Sequence, residues 1–302
     1  MPPIAIVYEH PAWLRPLFDT LERRGISYLP LHADELSFDP AGSPPPAPVI
    51  FNRIAMSSFL RAPEHPIFFG QALMAHWAAR GARVINGAAA MAVDSSKARQ
   101  LSLIAGLGLG TPQTRVVHRT ADLPSAAEGM SWPLVVKANI GGSGAGIVRY
   151  HSPAELAAAV EAGTVPDSVD RVLLVQDYVP ARGGTIVRVE TLAGRFLYAI
   201  EVAGDGSFDL CPADACQIGS RISMRQTQIA PDVIDAAERI VQAAGIDVGG
   251  VELMIDDRDG TARFYDINAM SNFVADPLNV LGWDPHDRLA DWIETLIAGA
   301  KA

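Results

Sequence analysis

The chain carries two cysteines, Cys211 and Cys216, set five positions apart with no histidine close to either. So few thiols exclude a disulfide framework, and a pair without histidine is a poor zinc set, which favours two packed thiols. Positive charge is also scarce: 24 Lys and Arg against 34 Asp and Glu give a formal net charge of −10. A nucleic-acid backbone is bound through an excess of lysine and arginine, so it is not an expected partner. Apolar runs are broken by charge or glycine before they reach the length of a membrane span, and Met1-Pro2-Pro3-Ile4 lacks the basic head and apolar stretch of a signal peptide. A cytoplasmic protein with no membrane partner is the expectation. No Gly-Lys-Ser/Thr closes a glycine-rich loop, and no strand, G-x-G-x-x-G and helix unit with a following acid is present, which excludes the two commonest nucleotide motifs.

Two other features carry chemistry. Leu134-Val135-Val136-Lys137 reads as a strand that ends in a lysine just before Gly141-Gly142-Ser143-Gly144-Ala145-Gly146. Glycines let backbone N–H groups converge on phosphate oxygens, and a neighbouring ammonium supplies a point charge for a polyphosphate. A flexible hairpin is the alternative at this position. Further on, Val251 to Asp257 and Arg263 to Asn268 read as two strands joined by a turn at Asp257-Arg258-Asp259-Gly260. Glu252, Asp266 and Asn268 interrupt these apolar strands, with Asp266 and Asn268 on one face. Three hard oxygen donors beside a phosphate loop suit Mg²⁺. A solvent-facing polar stripe would give the same alternation.

Taken in order, these features resemble the ATP-grasp superfamily, and within it the ribosomal-protein glutamate ligase (RimK-like) and glutathione synthetase-like branch. The resemblance is specific from Asn86 to Gly299 and only general before that. It implies an α/β protein, α+β in its nucleotide lobes, with an N-terminal parallel α/β lobe before the ATP-grasp fold. It implies ATP with Mg²⁺ as cofactors, Mn²⁺ being a second cation that the same ligands accept. Lys97 matches the first phosphate lysine and Lys137 the second. Gln176, Asp177, Tyr178 and Val179 match the hinge that borders the adenine. Arg188 matches the arginine beside the transferred phosphate, and Glu252, Asp266 and Asn268 match the metal ligands. Arg221, in preference to Arg225, matches a further basic contact. Relatives often carry a ribose-binding carboxylate two residues before the arginine, where this chain has Ile186.

The expected layout is a first lobe over 1–88, a central lid lobe over 89–176 and a C-terminal lobe with the metal site over 177–302. The first lobe reads as a βαβ opening (Ile4 to Tyr8, a helix from Leu14 to Arg24, a strand near Ser27 to Leu31), a strand at Val49 to Phe51, a helix from Gln71 to Arg80 and a strand at Arg83 to Ile85. Pro231 to Ala244 reads as a helix with its proline in the first turn and Gly245 after it. Asn52-Arg53 follow the third strand, where open α/β sheets bind ligands, and the arginine could fork a substrate carboxylate or pair on the surface. Asp214, in the segment between the cysteines, is a candidate partner for a substrate amine. His10 reads as a loop residue, and Trp13, Trp77, Trp283 and Trp292 as helix packing.

The implied activity joins a carboxylate to an amine at the expense of ATP, through an acyl phosphate, on amino acids or small peptides. A small-molecule kinase and a non-catalytic nucleotide sensor are the alternatives, and a homo-oligomer is compatible with the family.

Overall fold

The computed structural model describes residues 2–142, 144–204 and 222–300. Ser143, Cys211, Asp214, Cys216 and Arg221 lie outside the described residues. The first lobe holds β1 (Ile4–Tyr8), α1 (Pro11–Arg23), β2 (Leu29–His32), β3 (Val49–Arg53), α2 (Ile67–Ala79) and β4 (Arg83–Ile85). Its four strands are parallel in the order β2-β1-β3-β4. β1 and the first three residues of β3 are apolar runs because both faces of a parallel sheet are covered. α1 starts three residues before the position read from sequence, because the His10 ring nitrogen accepts the Trp13 amide and caps the helix with Pro11 at its first turn. α2 likewise begins four residues early, at Ile67 after Pro66.

Next come α3 (Ala88–Asp94) and α4 (Lys97–Gly106), the latter capped by Ser96 through the Arg99 amide. A second sheet is built from β5 (Thr114–Val117), the short α5 (Leu123–Ala126), β6 (Leu134–Ala138), β7 (Ile147–Tyr150), α6 (Pro153–Glu161) and β8 (Leu173–Asp177), with antiparallel strand order β5-β8-β6-β7. The third sheet takes β9 (Thr185–Leu192), β10 (Arg195–Ala203), β11 (Ser223–Gln226), α7 (Pro231–Ala243), β12 (Val248–Ile255) and β13 (Ala262–Asn268), antiparallel in the order β11-β10-β9-β12-β13. α8 (Pro277–Val280) and α9 (Pro285–Gly299) end the described chain.

Two placements depart from a simple division by chain order. α3 and α4 follow the first lobe in sequence, yet they pack on β13, with α4 also on α7 and α3 on α2, and so join the third sheet to the first. α9 returns to α1, where Arg23 meets Asp287 at 2.6 Å and Arg24 meets Asp291 at 2.7 Å. The first and third lobes therefore share their apolar cores, whereas the second sheet keeps its own around Leu134, Val136, Leu156 and Val175. Among the described residues no helix is long and apolar enough to cross a membrane.

Candidate active site

β9, β12 and β13 lie side by side, and their register sets two rows of side chains across one face. In the first row Glu252 sits opposite Arg188 on one neighbour and Asp266 on the other. In the second, Gly250 sits between Glu190 and Asn268. The guanidinium of Arg188 lies over the glycine: its Nε donates to Glu190 Oε1 at 2.6 Å, Nη1 to Glu252 Oε1 at 2.9 Å and Nη2 to Ser271 Oγ at 3.2 Å. Asn268 Nδ2 donates to Glu252 Oε1 at 3.3 Å, which turns its carboxamide towards the same carboxylate. Tyr265 Oη donates to Glu252 Oε2 at 3.0 Å. Burial pushes the Glu252 carboxyl up, against the pull of the Arg188 charge and with the neighbouring Asp266 adding to the rise.

The cations arrive from other elements. Lys97 heads α4, whose first turn is pinned to the end of β6: the Lys97 amide donates to Asn139 O at 3.1 Å, and Asn139 Oδ1 accepts the Ala98 amide at 2.9 Å. That anchor delivers Lys97 Nζ to Asp266 Oδ1 at 2.6 Å. Lys137 reaches in from β6 with its ammonium 5.3 Å from the centre of the Tyr265 ring. Burial, with the Lys97 charge adding to it, holds the Lys137 pKa down at about 8. Asp94, at the end of α3, accepts the Ala269 amide at 3.2 Å, and burial raises its pKa to about 7.

Apart from Glu190 and Gly250, which lie behind Arg188, these residues line one cleft of about 390 Å³ between the sheets. Its wall also includes Gly141, Gly142, Gly144 and Ala145 of the glycine loop and Gln176, Asp177, Tyr178 and Val179 of the hinge, with Ile186 and Met254 among the apolar residues. The chain thus brings together most of the described candidates: the lysines, the arginine, the three oxygen ligands, the loop as far as Ala145 and the 176–179 segment, with Gly146 outside the wall. Details of the hinge differ from a simple adenine edge. Gln176 Nε2 donates to Thr114 Oγ1 at 2.8 Å and ties β8 to β5, while the Tyr178 amide is committed to Pro133 O at 3.3 Å. Arg149 stands 5.0 Å over the Tyr178 ring.

Two first-lobe candidates lie elsewhere than expected. Asn52 is fully buried and outside the cleft wall, with its side chain donating to Asn86 O at 2.9 Å and accepting the Ile54 amide at 3.1 Å. It has no reach to a substrate, which corrects its reading as a contact. Arg53 is neither at the surface nor in the cleft wall: its Nη2 donates to Ser271 O at 2.5 Å and to Asn272 Oδ1. Burial lowers its pKa to about 10. Arg225 pairs with Glu201 on the exposed edge of the third sheet, away from the cleft wall. Trp13 lines the cleft beneath Arg61, whose guanidinium is 4.7 Å from its ring, and so does more than pack its helix.

Sequence reading missed Glu190, Gly250, Ser271, Asn86 and Tyr265. Glu190 alone left a signal, since Arg188 and Glu190 alternate on one strand and must share a face. Among the described residues no three His, Cys, Asp or Glu side chains converge on a metal position. Two carboxylates plus the Asn268 carboxamide make a set too small for an all-protein cage, but fit a Mg²⁺ ion that keeps water and shares phosphate oxygens.

The model of the RimK-like ATP-grasp domain matches residues 94–292. The chain belongs to this family. A probable alpha-L-glutamate ligase of Picosynechococcus sp. is 27% identical over 189 residues, 62% of this chain and 60% of that protein. The chain thus matches about three fifths of the length of its curated RimK-like relatives. The fold is that of the RimK domain ATP-grasp protein of Sphaerobacter thermophilus, with a TM-score of 0.67 at 18% identity over 96% of this chain and 99% of that one. The ATP-grasp ligase PsnB, solved with minimal precursor, Mg and ADP, gives a TM-score of 0.70 at 16% identity over 98% of both chains.

Proposed function

We propose that this ATP-grasp protein is an ATP-dependent carboxylate–amine ligase acting on amino acids or small peptides, with Mg²⁺ as its cation. What carries the reading is the convergence on one cleft of two lysines, one arginine and three oxygen ligands drawn from five separate elements. A protein that only stored a nucleotide would have little use for an arginine held by two carboxylates at the far end of the phosphates.

In this reading the adenine lies against the hinge, where the committed Tyr178 amide leaves recognition of the base edge to Val179. Lys137 and the glycine loop take the polyphosphate. An incoming polyphosphate draws Lys97 off Asp266, so the same event that pairs the lysine frees a carboxylate for the cation. Glu252, Asp266 and Asn268 would hold Mg²⁺, which when bound would supply charge neutralisation to the phosphates. Arg188 faces the charge that develops on the transferred phosphoryl group. The substrate carboxylate oxygen forms a bond to the γ-phosphorus as the bond to ADP breaks, giving an acyl phosphate. An amine then attacks the acyl carbon, phosphate leaves with the carboxylate oxygen, and the amine's proton passes to solvent. No protein nucleophile takes part. Gly142 abuts Ser57 of the first lobe, and this seal excludes water that would hydrolyse the acyl phosphate. Glutamate and short peptides are the first substrates to try, given the names of the relatives.

The test is ADP release from ATP and Mg²⁺ with acids and amines offered singly and in pairs. ADP that requires both, with a product lighter than their sum by one water, supports the ligase. A phosphorylated product from one hydroxylated compound moves the assignment to a kinase.

A further inference from the structure

Asn52 and Arg53 close β3 in the first lobe, but Arg53 bonds the third lobe directly and Asn52 bonds Asn86, whose side chain does so. We propose that this pair acts as a positioning device, by which the first lobe fixes the segment after β13 and, through Ser271, the orientation of Arg188. The turnover consequences rest on the ligase reading; the structural consequence does not.

Arg53 Nη2 donates to Ser271 O and Asn272 Oδ1, so one nitrogen grips two successive residues. Ser271 is the pivot. Its hydroxyl accepts from Arg188 Nη2 at 3.2 Å, donates to Glu190 Oε1 at 2.8 Å and accepts the Phe273 amide at 3.0 Å. Asn52 works one residue earlier, through Asn86, whose amide group donates to Val248 O at 2.7 Å and Ala269 O at 2.5 Å. Both ends of the 269–272 segment are therefore tied to β3.

The segment needs tying. Phe273 has φ of 60°, left-handed backbone that a bulky aromatic residue adopts only when its surroundings dictate it. Its neighbour Val274 is held by the Tyr198 hydroxyl at 3.1 Å. Asn268, a proposed metal ligand, comes just before the segment, so slack there reaches both the cation site and Arg188.

A second observation points the same way. Arg53 Nε and Nη1 are buried without hydrogen-bond partners, and so is Glu190 Oε2. A buried guanidinium that forms no ion pair is costly in water-free surroundings. Glu190 is the carboxylate with the largest electrostatic influence on it, and Ser271 stands between the two. Direct pairing of Arg53 with Glu190 would release Arg188 from Glu190; the bridge through Ser271 holds the charges apart and keeps Glu190 for Arg188.

The experiment compares amide hydrogen exchange in the full chain and in Arg53→Met, without substrate, reading peptides that span 269–276 against the β1 core at 4–8. The proposal expects protection at Phe273 and Val274 to fall by about tenfold or more while β1 stays protected. Unchanged protection in 269–276 overturns it. If Arg53→Met fails to fold, Asn272→Ala removes part of the same grip from the other side, and the same local loss is expected there; its absence overturns the proposal equally. Once a substrate pair is known, turnover of Arg53→Met should drop about 10- to 100-fold, with Arg53→Lys recovering part of it and ADP·Mg²⁺ affinity within about threefold of normal. A raised KM for one substrate with unchanged turnover and unchanged exchange would make Arg53 a direct substrate contact and refute a positioning role. Failure of every acid–amine pair to yield ADP would count against the ligase alone, because the exchange result stands without it.

Discussion

Gly250→Ala is the smallest change that should disable the site without touching any functional group. Position 250 lies under the Arg188 guanidinium, where an added Cβ would fall 2.9 Å from Glu190 Oε1, 3.0 Å from Arg188 Nε and 3.1 Å from Arg188 Nη2. Ordinary contact begins at 3.4 Å, so the two head groups must lift by roughly half an ångström. They cannot swing clear cheaply, since both are buried and Arg188 is bonded to Glu190, Glu252 and Ser271. Overpacking of this kind costs about 1–3 kcal/mol of stability. A displaced transition-state group costs up to about 10²-fold in rate. The expected result is therefore turnover reduced roughly 10- to 100-fold, with ADP·Mg²⁺ binding within about threefold of normal because ADP lacks the phosphoryl group that Arg188 is proposed to face. Gly106→Ala is the control, at a helical glycine with nothing within 4 Å of the added carbon. The assay is steady-state ADP release beside a calorimetric titration with ADP. Normal turnover in Gly250→Ala would refute the claim that Arg188 acts from this seat.

Other outcomes follow from single observations. Asn86→Ala removes four N–H···O side-chain hydrogen bonds that join the first lobe to the start of β12 and the β13 end, and places alanine at a φ of 50°; a loss of more than about 3 kcal/mol is expected by urea denaturation, and a loss under about 1 would contradict a joining role for Asn86. Burial lowers the Lys137 pKa to about 8, so its charge is fully present below that pH and lost above it; ADP affinity should hold from pH 6.5 to 7.5, then decline through pH 8 to 9.5, and Lys137→Arg should flatten the profile. A wild-type affinity that ignores pH across this range would rule out Lys137 as a phosphate contact. Gly142→Ala would set a Cβ 2.5 Å from Ser57 Cβ and 3.2 Å from its Cα, holding the loop off the first lobe. More ADP per product is then expected, with Ser57→Gly restoring the ratio in the double variant; a ratio unmoved by Gly142→Ala would show that the contact seals nothing.

What could be read from the sequence was local. The β12–β13 hairpin, with Glu252, Asp266 and Asn268 together, follows from alternation and a four-residue turn, and the parallel first lobe from apolar runs separated by helical spacing. The sequence also picked out Asn52-Arg53, but not their work, because the partners Asn86 and Ser271 are 34 and 218 positions away. Gly250 carries no motif: only the pairing of β9 with β12 reveals that a side chain there would strike Arg188. α3 and α4 were expected in the lid lobe by order along the chain, whereas their apolar residues pack on β13 and, for α4, α7. Trp13 looked like one more packing residue on an amphipathic helix, since nothing local distinguishes a tryptophan facing a core from one facing a cleft.

The central claim is that a substrate carboxylate is phosphorylated before an amide forms. Running the reaction with an acid labelled with ¹⁸O in both carboxylate oxygens, and weighing the phosphate released, tests it directly. The account predicts one labelled oxygen in each phosphate and the other in the amide carbonyl. Amide formed with unlabelled phosphate would contradict it, because the leaving oxygen would then never have been bonded to phosphorus.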